Sequence, residues 1–377
     1  MKLVIAIDSF KGSLSSLEAG KAVQEAAEQL GILDSCVLPV ADGGEGTMQT
    51  LTKSMHGEFV ECTVMGPLGE PVRATYGWVS DRKLAIMEMA QAAGLPLVPV
   101  EQRDPTRTTT YGVGEMILHA YAQGGREFLI GIGGSATNDG GLGMLTALGV
   151  KFLDQKGKPV GIYGRDLLKI DRIDLGGLHA GLRECRFRVA CDVTNPLCGE
   201  NGASAVFGPQ KGATPEMVES LDQGLRILAR GNESLMCEPG AGAAGGLGFA
   251  FRAFLHGELK PGIETVLVTL QAEQMIRDAS LIVTGEGRLD AQTAMGKVPA
   301  GLARIAKRYH VPVVAFGGCL EDDAAICNTL GIDAYFSILR SPMPLAKAME
   351  YETAYHNLKY TAEQVFRLFL LTGRTLK

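Results

Sequence analysis

Six short segments place glycine beside charged or hydroxyl side chains at the ends of apolar runs. They are residues 8–13 (Asp8, Ser9 and Lys11 among them), 41–47, 131–141, 191–196, 207–212 and 285–290. Glycine lets main-chain N–H groups face an anion, and a helix starting just after the turn adds favourable polarity. Charged side chains at such turns can hold an anion or a metal ion, or move a proton. The segments therefore point to phosphate or carboxylate chemistry.

Each segment offers a candidate and a plainer alternative. Lys11 can neutralise a phosphate or carboxylate as a point charge, or lie solvated on the surface. Asp42 and Glu45 share one glycine loop and could hold Mg²⁺, which favours a few carboxylates; Asp-Gly is equally a turn dipeptide. Residues 131–141 contain Gly133, Gly134, Ser135, Thr137 and Asn138 and read as a phosphate cradle, although the chain has no Walker A sequence. Asp192 ends an apolar run and could accept a proton from an attacking hydroxyl; an Asx-turn before Pro196 is the alternative. Arg288 could clamp an anion through two parallel hydrogen bonds, or form a solvated charge cluster with Glu286 and Asp290. Residues 242–248 could approach a nucleotide or start a helix packed tightly on backbone.

These segments need a scaffold that brings strand ends together. Leu3–Ile7 reads as a strand, and Ser16–Leu30 as a helix with a Ser15/Glu18 capping box and Gly31 as its stop. Cys36–Val40, Leu281–Thr284, Val311–Phe316 and Ala334–Ile338 are further strands. Strands alternating with helices imply a parallel sheet covered on both faces. The middle differs. Glu58–Met65 and Val72–Ser80 flank a Gly66–Gly69 turn as a hairpin. Phe128–Ile132 is a buried-type strand, Phe187–Cys191 is an apolar run that contains Arg188, and residues 151–213 read as irregular. The expected fold class is α/β, with a parallel-sheet domain built from residues 1–60 plus 270–377 and a mixed α/β domain inserted at 61–269. A cleft between such domains is a common ligand site.

The chain has 42 acidic and 36 basic residues and a formal charge of -6, with no Lys/Arg-rich run, which argues against a nucleic-acid binder. Only five apolar residues follow Lys2, too few for a secretory signal, and no stretch suits a membrane span. Scattered cysteines without a metal-like spacing read as reduced thiols. A cytoplasmic protein without membrane partners is expected.

Taken together, the segments resemble the bacterial glycerate kinase family. Six motifs run in order along nearly the whole chain: residues 8–13, 40–47, 131–141, 192–197, 206–213 and 285–290 with Gln292. One departure is Ile7, where the family often has proline. The resemblance implies a Rossmann-like domain formed by both chain ends. It also implies ATP-dependent phosphorylation of D-glycerate with Mg²⁺, giving 2-phosphoglycerate, with 3-phosphoglycerate the alternative product. On this reading Asp192 is the base, and Lys11 and Arg288 hold the carboxylate or the transferring phosphoryl group. Asp8, Ser9, Asn195, Asp290 and Gln292 bind substrate. Gly133, Gly134, Ser135, Thr137, Asn138 and Lys211 contact the nucleotide, and Asp42, Glu45 and Glu286 organise Mg²⁺. A homo-oligomer is compatible with it.

Two rivals remain from the residues themselves. Gly131, Gly133, Ala136 and Asp154 match a weak dinucleotide fingerprint, which would suit an NAD(P)-dependent oxidoreductase of a small hydroxy acid. The inferred cleft would also suit a non-catalytic organic-acid binder.

Overall fold

A computed structural model describes residues 1–41 and 46–375, with side chains at 294–295 and 372–375 left aside. Asp42 and Glu45 lie outside the described residues. The strands are β1 (Leu3–Ile7), β2 (Ser35–Val37), β3 (Glu58–Met65), β4 (Pro71–Val79), β5 (Leu84–Glu88), β6 (Glu127–Gly131) and β7 (Lys151–Leu153). They continue with β8 (Arg172–Asp174), β9 (Arg186–Ala190), β10 (Glu258–Lys260), β11 (Leu281–Leu289), β12 (Val313–Leu320) and β13 (Ala334–Ser337). The chain divides into two compact units, Met1–Asp42 with Val266–Lys377, and Gly43–Thr265.

The unit built from both chain ends holds a parallel sheet ordered β13-β12-β11-β1-β2. All five residues of β1 are buried, as a continuous apolar run in a doubly covered sheet requires. The helix Ser16–Gln29 follows, with the Ser15/Glu18 capping box present. The chain leaves β1 toward β2 on one side and β11 toward β12 on the other. β1 and β11 thus flank the topological switch point, where ligands gather at the carboxyl ends of such strands. Ile5, Ile7, Val283, Phe316 and Phe366 belong to this unit's core.

The structure corrects one reading here. Residues 285–289 are strand, not loop: β11 continues through them, pairing Glu286 with Gly317 and Arg288 with Cys319 on β12.

The second unit carries a mixed sheet ordered β10-β9-β6-β5-β4-β3. β5, β6, β9 and β10 run parallel, whereas β3, β4 and β5 are antiparallel neighbours. Its core stacks Phe128 on Phe187 at 4.9 Å between ring centres, with Phe251 beyond. β7 and β8 form a separate two-stranded sheet within the segment read as irregular. All eight cysteines are free. Among the described residues no helix is long and apolar enough to cross a membrane.

Candidate active site

In the second unit, a hollow of about 400 Å³ opens beyond the carboxyl ends of β6 and β9. One wall is the turn Ile132–Ser135, another the run Ala190–Val193, and Gln210 and Lys211 complete the polar lining. Leu95, Ile132, Val193 and Phe207 supply apolar surface. The hollow thus gathers Gly133, Gly134, Ser135, Asp192 and Lys211 from segments far apart in sequence.

Lys211 is 2% exposed. Its ammonium donates to Ser135 Oγ at 2.8 Å and to the Thr137 carbonyl at 2.6 Å. Burial draws its pKa down to about 7, and the negative charge of Asp139 opposes that fall. Asp139 is itself fully buried and accepts from Thr110 N (2.8 Å), Thr110 Oγ1 (2.7 Å), Gly141 N (3.1 Å) and Gly143 N (3.1 Å). Burial pushes the Asp139 carboxyl upward, and these four donors work against it. They fix the backbone of the 131–141 turn, including the segment that offers the Thr137 carbonyl to Lys211.

The run 242–248 supports this turn. Ala244, Gly245 and Gly246 all adopt left-handed backbone, and Gly140 N donates to the Gly245 carbonyl at 2.9 Å. A Cβ on Gly245 would lie 2.1 Å from the Thr137 carbonyl oxygen, so only glycine permits this approach. The tight-packing alternative therefore describes Gly245, while Ala243 and Ala244 still line the hollow.

Asp192 Oδ1 accepts from the N–H of Gly262, which opens the helix Gly262–Thr269, at 2.8 Å. Thr137 and Asn138 are wholly buried and do not face the hollow; Asn138 donates to Ser204 Oγ at 3.0 Å. They build the turn, and their side chains are not placed to touch a nucleotide there. Asn195 is likewise turned to its own loop, donating to the Asn201 carbonyl at 2.9 Å.

In the unit built from both chain ends, Ile7 pairs with Gly285, and Asp8 N donates to the Gly285 carbonyl at 2.9 Å. Asp8 therefore leaves β1 at the level of Glu286, which is still within β11. Ser9 N donates to Asp8 Oδ1 at 2.7 Å. Glu286 is buried and accepts from Thr293 Oγ1 at 2.7 Å and Lys297 Nζ at 2.9 Å. Burial raises its pKa, and Thr293 and Lys297 oppose the rise. Asp290 caps the 3₁₀ turn Ala291–Met295, accepting from Gln292 N and Thr293 N. The Arg288 side chain is 64% exposed, with Glu321 at 3.5 Å. Lys11 and Gln292 are exposed.

The metal assignment changes in character. Both Glu286 oxygens are engaged, one by an ammonium, so Glu286 as placed does not offer a ready ligand. Among the described residues no group of three or more His, Cys, Asp or Glu could hold an ion. The dinucleotide fingerprint also loses its acid. Asp154 follows β7, outside the main sheets, and its Oδ1 accepts from Lys156 N and Lys158 N, each at 2.8 Å.

Sequence reasoning gives no role to Thr110, Thr293 or Glu88. Glu88 is buried at the end of β5 and accepts from Met48 N at 3.0 Å, near the start of the helix Thr47–Ser54. Its position at a strand end was the available signal. Asp139 and Lys297 lie within or just after the motifs, but their partners depend on the folded turns.

Comparison with known proteins agrees with this architecture. The family model described as the glycerate kinase family matches residues 3–370. A glycerate kinase of Bacillus subtilis is 48% identical over 94% of each chain. The glycerate 2-kinase of Escherichia coli K12 is 48% identical over 95% of each chain. A crystal structure from Salmonella typhimurium LT2, of a protein assigned as glycerate kinase 2, superposes with a TM-score of 0.88 at 46% identity, covering 100% of this chain and 99% of the other. The class is thereby fixed as an α/β kinase. The chain belongs to the glycerate kinase family.

Proposed function

We propose that the protein transfers the terminal phosphoryl group of ATP, supplied as its Mg²⁺ complex, to the 2-hydroxyl of D-glycerate. The observation that carries this reading is the hollow where Lys211, the Gly133–Ser135 turn and Asp192 meet. Its volume suits a ligand larger than a three-carbon acid. A glycine turn with one buried ammonium suits nucleotide phosphates. The choice of the 2-hydroxyl, with 2-phosphoglycerate as product, is supported by likeness to the Escherichia coli protein named glycerate 2-kinase.

In this reading the glycerate oxygen bonds to the γ-phosphorus as the bond to the β–γ bridging oxygen breaks. ADP leaves, and Asp192 takes the hydroxyl proton. Lys11 and Arg288 steady the transferring phosphoryl group, and Asp8, Ser9 and Asp290 accept from or donate to the hydroxyl groups. Such transfers need positioned charge more than covalent help. Mg²⁺ enters as part of the nucleotide substrate and screens its charge. The reaction draws on ATP and is therefore placed in the cytoplasm.

A coupled ADP-release assay with D-glycerate, ATP and Mg²⁺ tests this, with ³¹P NMR of the product. Release of ADP with formation of 2-phosphoglycerate is expected. No glycerate-dependent ADP would refute the substrate; 3-phosphoglycerate would refute the regiochemistry.

A further inference from the structure

Lys297 has the most firmly held ammonium among the described cations around the ends of β1 and β11. Its Nζ lies 2.9 Å from Glu286 Oε2, and its side chain is 30% exposed while that of Glu286 is 7% exposed. Thr293 Oγ1 holds the other carboxylate oxygen of Glu286 at 2.7 Å. Lys297 is thus anchored from below by a buried, doubly bonded acid, yet still reaches solvent. It also precedes the eleven-residue helix Val298–Arg308, whose N-terminal end favours an anion. By contrast, Arg288 is 64% exposed and its nearest acid stands 3.5 Å away.

The company Lys297 keeps selects its ligand. Asp8 leaves β1 at the level of Glu286, and Asp290 caps the turn between Glu286 and Lys297. Glu286 and Asp290 beside this ammonium disfavour the polyanionic tail of a nucleotide. A small hydroxy acid fits them better, since its hydroxyls can donate to carboxylates while its single carboxylate takes one cation.

We propose that Lys297 binds the carboxylate of the acceptor substrate and that Glu286 is the residue that positions it. This rests on the glycerate reading for the identity of that acceptor. The Lys297–Glu286 pair is then a preset half-site: the ammonium keeps one partner and offers its remaining N–H groups to the incoming acid.

The test compares Lys297→Met, Lys297→Arg and Glu286→Gln in the ADP-release assay, varying D-glycerate and ATP separately. Loss of a charge-assisted contact should raise KM for D-glycerate by about 10- to 100-fold in Lys297→Met, with KM for ATP within about twofold. Lys297→Arg should recover part of the loss, and Glu286→Gln should raise the same KM by a smaller factor. Melting temperatures near that of the wild type establish that the variants fold. If Lys297→Met does not fold, the Arg and Gln variants decide. A KM for D-glycerate unchanged across all folded variants, or a rise confined to ATP, overturns the assignment. Failure of the wild-type protein to use D-glycerate would instead refute the substrate reading. In that case the same comparison, made with whichever hydroxy acid the wild type does phosphorylate, decides the role of Lys297.

Discussion

Replacing Lys211 by methionine should change both the pH dependence of stability and the handling of ATP. In the folded protein the Lys211 ammonium loses its proton near pH 7, whereas in the unfolded chain it holds it to about 10.5. Below pH 7 both states are protonated. Between these two values the unfolded chain binds a proton that the folded one does not, so stability rises with pH. The slope approaches about 1.4 kcal/mol per pH unit for one group. Lys211→Met has no such group. Between pH 7.5 and 9.0 the wild type should therefore gain about 2 kcal/mol relative to the variant. The assay is urea unfolding followed by fluorescence of the single tryptophan, Trp78. Trp78 lies on β4 and packs on the core of the unit that contains Lys211. A difference that stays flat to within about 0.5 kcal/mol, or shrinks with pH, would refute the buried-ammonium argument. Activity gives a second reading. If the charged form receives the phosphates, kcat/KM for ATP should fall above pH 7 by up to tenfold per unit, and Lys211→Met should be low and lack that limb. Asp192, Cys191 and Asp139 are the other titratable groups around the amine. Burial raises the Cys191 thiol further above its ordinary range, so it does not supply a fall in activity centred on pH 7; burial also raises Asp139, and an Asp139→Asn variant that keeps the fall assigns it to Lys211.

Two further outcomes bear on the same hollow. Asp192→Asn should keep the fold, because the amide oxygen can still accept from Gly262 N, while turnover drops by about 10²–10⁴; near-normal turnover removes Asp192 as the base. Gly245→Ala places a Cβ 2.1 Å from the Thr137 carbonyl oxygen on backbone at φ +67, and should lower stability by roughly 2–4 kcal/mol in urea unfolding; a cost under about 0.5 kcal/mol would mean the turn relaxes freely.

Much of the scaffold was legible because its elements depend on local rules. β1 is a continuous apolar run, the following helix carries its capping box, and the β3–β4 hairpin turns on Gly66–Gly69. β11 resisted the same reasoning. Its second half contains Gly285, Glu286, Gly287 and Arg288, residues that local propensity assigns to a loop. Pairing with β12, itself carrying Gly317 and Gly318, makes that stretch a strand, and such non-local pairing leaves no local sequence mark. The site divided similarly. Glycine turns at strand ends marked 131–141 and 207–212, but not that Lys211 would be buried or that Thr137 and Asn138 would turn inward. The Glu286–Lys297 pair spans eleven residues, with a 3₁₀ turn capped by Asp290 between them.

The arrangement around Lys211 is costly for a purely structural feature. Its bonds are to a hydroxyl and a carbonyl, and no ion pair to Lys211 occurs among the described residues. Asp139 cannot serve as that partner through its present contacts, because Thr110, Gly141 and Gly143 already occupy its oxygens. A buried ammonium with only neutral partners is destabilising, as its lowered pKa records. Three successive left-handed residues, one of them the non-glycine Ala244, add backbone strain on the same wall. An anion entering the hollow would supply the missing negative charge and draw a proton onto Lys211. Nucleotide binding should then consume a fraction of a proton near neutral pH, visible as a buffer-dependent binding enthalpy that Lys211→Met abolishes.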